Sequence, residues 1–176
     1  LVYWSLGDFT TARDYYAEGI TIKREIGDRR GESVILSFQG FLYHDLGDDA
    51  GALERGQKAL TIAQELDTPQ VQAYALTTVA HAQIGLEQFD AATDAYRQAL
   101  AIRREMGQQS LAMEIIAGLA RVALLGDDLA QAQAHVDDLL RYLDEGGLKS
   151  VLDGTLAPFL VHLTCYRVLN ANQHPR

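Results

Sequence analysis

The sequence has a single cysteine, Cys165, so no disulfide can form within the chain. That excludes the small folds held by disulfide frameworks and points to a reduced, cytoplasmic setting. Proline is scarce as well: Pro69, Pro158 and Pro175 are the only three among 176 residues. Proline removes an amide donor and clashes with the preceding helical turn, so its rarity leaves room for long helices. No apolar run approaches the roughly 18 residues of a membrane span, and no basic, apolar leader opens the chain. Positive charge is in deficit: 15 Lys and Arg stand against 24 Asp and Glu, a net charge of −9. Nucleic-acid binders gather basic residues on one face, whereas here they are scattered, so nucleic-acid binding is not expected. An acidic surface favours a basic or neutral partner.

What the chain does have is repetition. Ala12, Ala52, Ala92 and Ala132 fall at intervals of 40 residues, as do Ile20, Leu60, Leu100 and Leu140. Glu25, Glu65, Glu105 and Glu145 keep the same step. A fixed period of this length means stacked helix pairs, each too thin to bury its own apolar face. Turn signals divide the copies. One set is Gly7-Asp8, Gly47-Asp48, Ile84-Gly85 and Gly126-Asp127; the other is Gly27-Asp28, Asp67-Thr68-Pro69, Gly107-Gln108 and Gly146-Gly147. Glycine suits a left-handed helix C-cap, and aspartate caps the helix that follows. Between these marks apolar residues recur at spacings of three and four. The pattern predicts helices at 1–6, 9–26, 30–46, 49–66, 69–85, 88–106, 109–125 and 129–145, and a ninth over about 151–170. No strand alternation competes, so the expected fold is all-α.

Small residues mark the expected close contacts: Ala12, Ala52, Ala59, Ala92, Ala99 and Ala132 on the second helix of each pair, and Gly40, Ala80 and Ala120 on the first. Small side chains let helix axes approach, while Leu60, Leu100 and Leu140 fill the space beside them.

These residues resemble the tetratricopeptide repeat family. Its motif of a small residue and an aromatic on the first helix, then Ala, aromatic, Ala on the second, is matched by Gly40, Tyr43, Ala52 and Ala59-Leu60. It is matched again by Ala80, Phe89, Ala92, Tyr96 and Ala99-Leu100. Tyr3, Phe9, Ala12 and Tyr16 form a truncated first copy, and Ala120, Leu129, Ala132, Val136 and Leu139-Leu140 a degenerate fourth. The 40-residue period exceeds the common 34 and is similar to a long-repeat subclass that includes C-terminal arrays of bacterial regulatory proteins. The resemblance implies a right-handed superhelical solenoid of antiparallel helix pairs, about four repeats and a terminal helix, forming one domain over 1–176. It further implies a protein- or peptide-binding scaffold. Because neither end of the sequence reads as a polar cap, the expectation is a fragment of a larger protein, serving as its sensory or assembly region in signalling or transcription regulation.

In such a stack the first helices line the inner wall. The repeat register places there Phe38, Phe41, His44 and Asp45; then Tyr74, Thr77, Thr78 and His81; then Glu114, Gly118 and Arg121; and on the last helix Val161 and Cys165. Mixed aromatic and polar groups suit a peptide groove, although Phe38 and Phe41 equally suit packing between neighbouring helices. Relatives that clamp a peptide carboxylate carry Asn and Lys or Arg where this chain has Phe41, His81 and Arg121, so that clamp is not expected.

Other constellations argue against chemistry. His162 and Cys165 have the spacing of a shared metal site, but two ligands do not complete one. The four repeated glutamates occupy one structural place four times, whereas catalysis needs unlike groups converging on one point. Lys23-Arg24 and Arg103-Arg104 read as last-turn cations complementing the helix dipole. No phosphate loop, nucleophile elbow or zinc-type histidine pair is present. No enzyme activity, cofactor or metal is expected. Two further functions remain open: small-molecule effector sensing, and self-association through exposed terminal residues such as Leu1, Val2, Trp4 and the 156–169 helix.

Overall fold

The computed structural model describes residues 2–146 and 158–173. Every element in them is a helix: α1 (Val2–Ser5), α2 (Phe9–Glu25), α3 (Arg29–Asp45), α4 (Asp49–Glu65), α5 (Pro69–Gly85), α6 (Phe89–Glu105), α7 (Gln109–Leu125), α8 (Leu129–Gly146) and α9 (Pro158–Gln173). The expected Gly146-Gly147 turn extends beyond the described residues, as do Leu1, the Glu145 side chain and the 151–157 portion of the expected ninth helix.

One turn joins the successive helices from α1 to α8. It places a left-handed residue at positions 7, 27, 47, 67, 87, 107 and 127. After α2, the Gly27 amide donates to the Arg24 carbonyl at 3.1 Å and the Asp28 amide to the Lys23 carbonyl at 2.8 Å. This is the Schellman arrangement, which satisfies the last carbonyls of a helix. The residue that closes one helix also opens the next. Asp8, Asp28, Asp48 and Asp128 accept the amides of Thr11, Gly31, Gly51 and Gln131. Three-residue turns leave consecutive helices antiparallel.

Two expected turns are corrected in detail. Gly85 is the last residue of α5, and the left-handed residue there is Glu87. Gly126 has φ −86°, and Asp127 takes the left-handed conformation. Gly85 has another use, since a Cβ there would sit inside the Asp49 carboxylate.

Contacts divide the chain into two compact units, Leu1–Ala99 and Leu100–Arg176. In the first, each of α2, α3 and α4 packs on the next helix, and α3 lies beside α5. Leu42, Ala52, Ala59, Ala73 and Ala80 have no exposed surface. A Cβ at Gly40 would overlap the Thr78 methyl, which fixes how closely α3 and α5 approach. In the second unit, α7 and α8 pack together and α9 covers both. Val161 and Val168 of α9 are buried against them at 1% and 0% exposure. The fold is an all-α helical repeat.

Candidate functional site

The first unit gathers an aromatic row on α3 and α5. Phe38 and Phe41 lie about one turn apart on α3, and Tyr74 and His81 about two turns apart on α5, so packing these helices side by side brings the rings into register. Phe38 meets Tyr74 at 5.9 Å between centroids, and Phe41 meets the His81 ring edge-on at 5.4 Å. His44 lies 5.4 Å from His81, again edge to face. Phe41 is buried, whereas Phe38, Tyr74, His44 and His81 are half-buried and keep part of their rings open.

Two residues outside the expected groove join this row. Trp4 of α1 stacks on Phe41 at 6.3 Å and 11°, and its indole N–H donates to the Asp45 carboxylate at 2.6 Å. Trp4 was expected to be an exposed terminal residue; the stack and hydrogen bond instead leave it half-buried. Tyr96 of α6 reaches His81 at 5.8 Å. It was legible only as the aromatic of the repeat motif, and nothing in the linear sequence shows which first-helix side chain it meets.

His44 places Nδ1 2.5 Å from the Asp49 carboxylate, where α3 ends and α4 begins. Asp45 stays exposed. Thr77 and Thr78 are not open to a groove. Both are buried, Thr77 donating to the Ala73 carbonyl at 2.8 Å and Thr78 to those of Ser37 and Tyr74 at 3.1 Å. The Thr78 bond to Ser37 ties α5 to α3, so these hydroxyls serve helix packing.

The second unit carries the remaining expected positions. Glu114 and Arg121 are half-buried on α7, and Gly118 is buried between them in sequence. Val161 and Cys165 were expected on the inner wall but belong to the core under α9. Burial pushes the Cys165 thiol above its usual pKa. His162 is exposed on the same helix.

The helix-end charges also find their places. Glu25, Glu65 and Glu105 are each the last residue of a helix, and Glu65 accepts Arg29 of α3 at 2.7 Å. Lys23 holds Asp28 at 2.6 Å, and Arg24 holds the buried Glu32 at 2.6 Å. Arg103, expected as a last-turn cation complementing the helix dipole, is 1% exposed and donates to Gln108 at 2.5 Å. Among the described residues no three His, Cys, Asp or Glu side chains could hold a metal ion. No helix among them is long and apolar enough to cross a membrane. The row offers ring faces and edges for apolar, aromatic or cationic groups.

Solved structures share this architecture. The TPR domain of Arabidopsis FLU is 19% identical at a TM-score of 0.62, over 66% of this chain and 98% of that one. BtubC (BKLC) from P. vanneervenii is 23% identical at a TM-score of 0.68, over 79% of this chain and 58% of that one. A kinesin-light-chain-like protein of Podosopora anserina, with nearly identical TPR-like repeats, is 13% identical at a TM-score of 0.72, over 98% of this chain and 83% of that one. At these identities the likeness concerns the fold. No curated protein matches the sequence. The tetratricopeptide repeat model matches residues 1–65 and again 33–105, together more than half of the sequence. With the repeating turn and the paired helices, this match places the chain in the tetratricopeptide repeat family.

Proposed function

We propose that this chain is a protein- or peptide-binding scaffold whose docking face in the first unit is the aromatic row of Phe38, Phe41, Tyr74 and His81. Tetratricopeptide repeats generally mediate protein–protein interaction and scaffolding, and the fold is generally non-catalytic. One observation carries the assignment to this face: the half-buried rings of Phe38 and Tyr74 meet at 5.9 Å across two neighbouring first helices, and half-buried His81 packs on the buried Phe41 at 5.4 Å, which leaves part of Phe38, Tyr74 and His81 open. Partly buried aromatic anchors typically dominate binding surfaces. We place the domain in a larger cytoplasmic signalling or transcription-regulatory protein as its sensory or assembly region, with no catalytic step of its own.

Trp4 is the only tryptophan in the sequence, and it stacks on Phe41. Its emission is therefore a reporter of the row. Titration with a peptide array should shift that emission for the peptides that bind. Tyr74→Ala and His81→Ala should weaken those same peptides about tenfold, with circular dichroism at the titration temperature showing both variants still folded. Binding that survives both substitutions would move the site away from this row.

Self-association has an observation of its own, since α9 leaves Phe159 75% and Tyr166 65% exposed. Large exposed apolar groups mark contacts when they form a patch. Sedimentation of Phe159→Ser with Tyr166→Ser against the unaltered chain separates the two readings.

A further inference from the structure

A second surface lies on another side of the first unit, away from the aromatic row. On α3, Leu36 and Gln39 each precede Phe38 and Phe41 by two positions, which turns them about 160° around the helix. They floor a trough between α2 and α4 made of two adjoining hollows of about 240 Å³ each, which share Arg24, Leu36 and Lys58. Each hollow is smaller than the roughly 300–1,000 Å³ of pockets that enclose small molecules. Together they suit successive side chains of a peptide.

The walls are cationic in a chain whose net charge is −9. Arg24 spends its Nε on Glu32 at 2.6 Å, while its terminal nitrogens make no hydrogen bond among the described residues. Arg55 is held in place from three sides: its guanidinium lies 3.6 Å over the Tyr43 ring, Nε donates to Gln39 at 3.0 Å, and Nη1 donates to the Gly51 carbonyl at 2.9 Å. A donor fixed in advance loses little entropy on binding. Lys58 pairs with Glu54 at 2.5 Å, but both side chains are more than half exposed. Such a pair is worth little and exchanges readily for a better carboxylate. Glu32 is buried and already takes Arg24 and Arg29, so it faces an incoming acid as a neutralised group.

The repeat does not require these charges. One repeat further on, the positions of Arg24, Arg55 and Lys58 hold Gln64, Ala95 and Gln98, and two repeats on they hold Arg104, His135 and Asp138. The charges of Arg55 and Lys58 are therefore local additions to a structural plan that works without them. We propose that this trough docks an acidic segment of a partner protein, with its carboxylates on Arg24, Arg55 and Lys58 and an apolar side chain seated on Leu36. This site is separate from the aromatic row and does not depend on it.

The test uses a fluorescein-labelled peptide built of Glu, Asp and Leu, titrated onto the full chain by fluorescence anisotropy. Saturable binding that weakens as salt rises is expected. Lys58→Glu and, separately, Thr21→Glu, which brings a carboxylate to the opposite wall, should each weaken binding about tenfold with unchanged melting. Lys58→Arg should retain binding, and so should Tyr74→Ala, which keeps this site distinguishable from the aromatic row. Equal binding of a Lys- and Leu-built peptide, or no effect of either charge reversal, would overturn the proposal. So would anionic vesicles or an oligonucleotide displacing the peptide while themselves binding more tightly.

Discussion

At the residue scale, the most informative position is the left-handed one in each turn. Glycine fills it at 7, 27, 47 and 107, but Asp67, Glu87 and Asp127 occupy it elsewhere. A side chain with a Cβ is strained there, at roughly 1–2 kcal/mol. Glu87→Gly and Asp127→Gly should therefore each raise stability by about 0.5–1 kcal/mol, net of the freedom glycine adds to the unfolded chain. Gly47→Ala should cost about 1 kcal/mol, and the cost is purely conformational, since a Cβ there meets nothing within 4 Å. Denaturant melts of the three variants check both signs. The sequence showed that a turn stood near Gly85 and Gly126, but not which residue turned left, because helix length sets that register. Six of the helices, α2 to α7, are 17 residues long, and this spacing puts Glu87 and Asp127 on the turn. Cys165 yields a second expectation. Its thiol is buried and its pKa raised, so the native chain should react with iodoacetamide far more slowly than the denatured chain, because the thiolate is the nucleophile. Equal rates would place Cys165 outside the core.

At the element scale, periodicity revealed helices more readily than it revealed their faces. The second helices bury one stripe, as Ala52, Gly56, Ala59, Ile62 and Ala63 do on α4. The first helices α5 and α7 each bury ten residues, distributed around the helix. A helix packed on several sides has no single apolar face, which is why Thr77 and Thr78 read from register as groove residues although they are buried. Their neighbours show the same crowding. Ala80→Leu should overpack α5 and cost about 1–3 kcal/mol, while Leu100→Ala on α6 should open a cavity costing about 2–5 kcal/mol. A thermal melt unchanged by either substitution would contradict the observed packing. Helix capping adds a pH dependence. Asp28 caps α3, and its carboxyl is held below the usual range chiefly by the Lys23 hydrogen bond and then by the Gly31 amide. A depressed carboxyl contributes its stability above the unfolded pKa of about 3.9 and loses it as pH falls through the folded value. The unaltered chain should therefore lose more melting temperature than Asp28→Asn between about pH 5 and about pH 3. Parallel losses would mean that the pair with Lys23 contributes nothing.

At the scale of the whole molecule, stacked repeats exchange contacts mainly with their neighbours, so stability is close to a sum of local terms. The two compact units give this a concrete form. Leu139 on α8 is 1% exposed, within the second unit, where α7, α8 and α9 pack on one another. Leu139→Ala removes buried volume there and should cost about 2–5 kcal/mol locally. The first unit retains its own core around Ile20, Leu36, Ala59, Ile62 and Ala75, and that core contains no residue of α7, α8 or α9. Native-state hydrogen exchange should therefore quicken in α7, α8 and α9 of the Leu139→Ala chain and remain unchanged in α3 and α4, because opening free energies differ between cooperative units. An equal acceleration in all helices would show a single all-or-none transition, and a docked peptide on the aromatic row would then stabilise both units alike. A graded response would confine that stabilisation to the unit that carries the row, which makes the same exchange experiment, repeated with a bound peptide, a map of where the peptide sits.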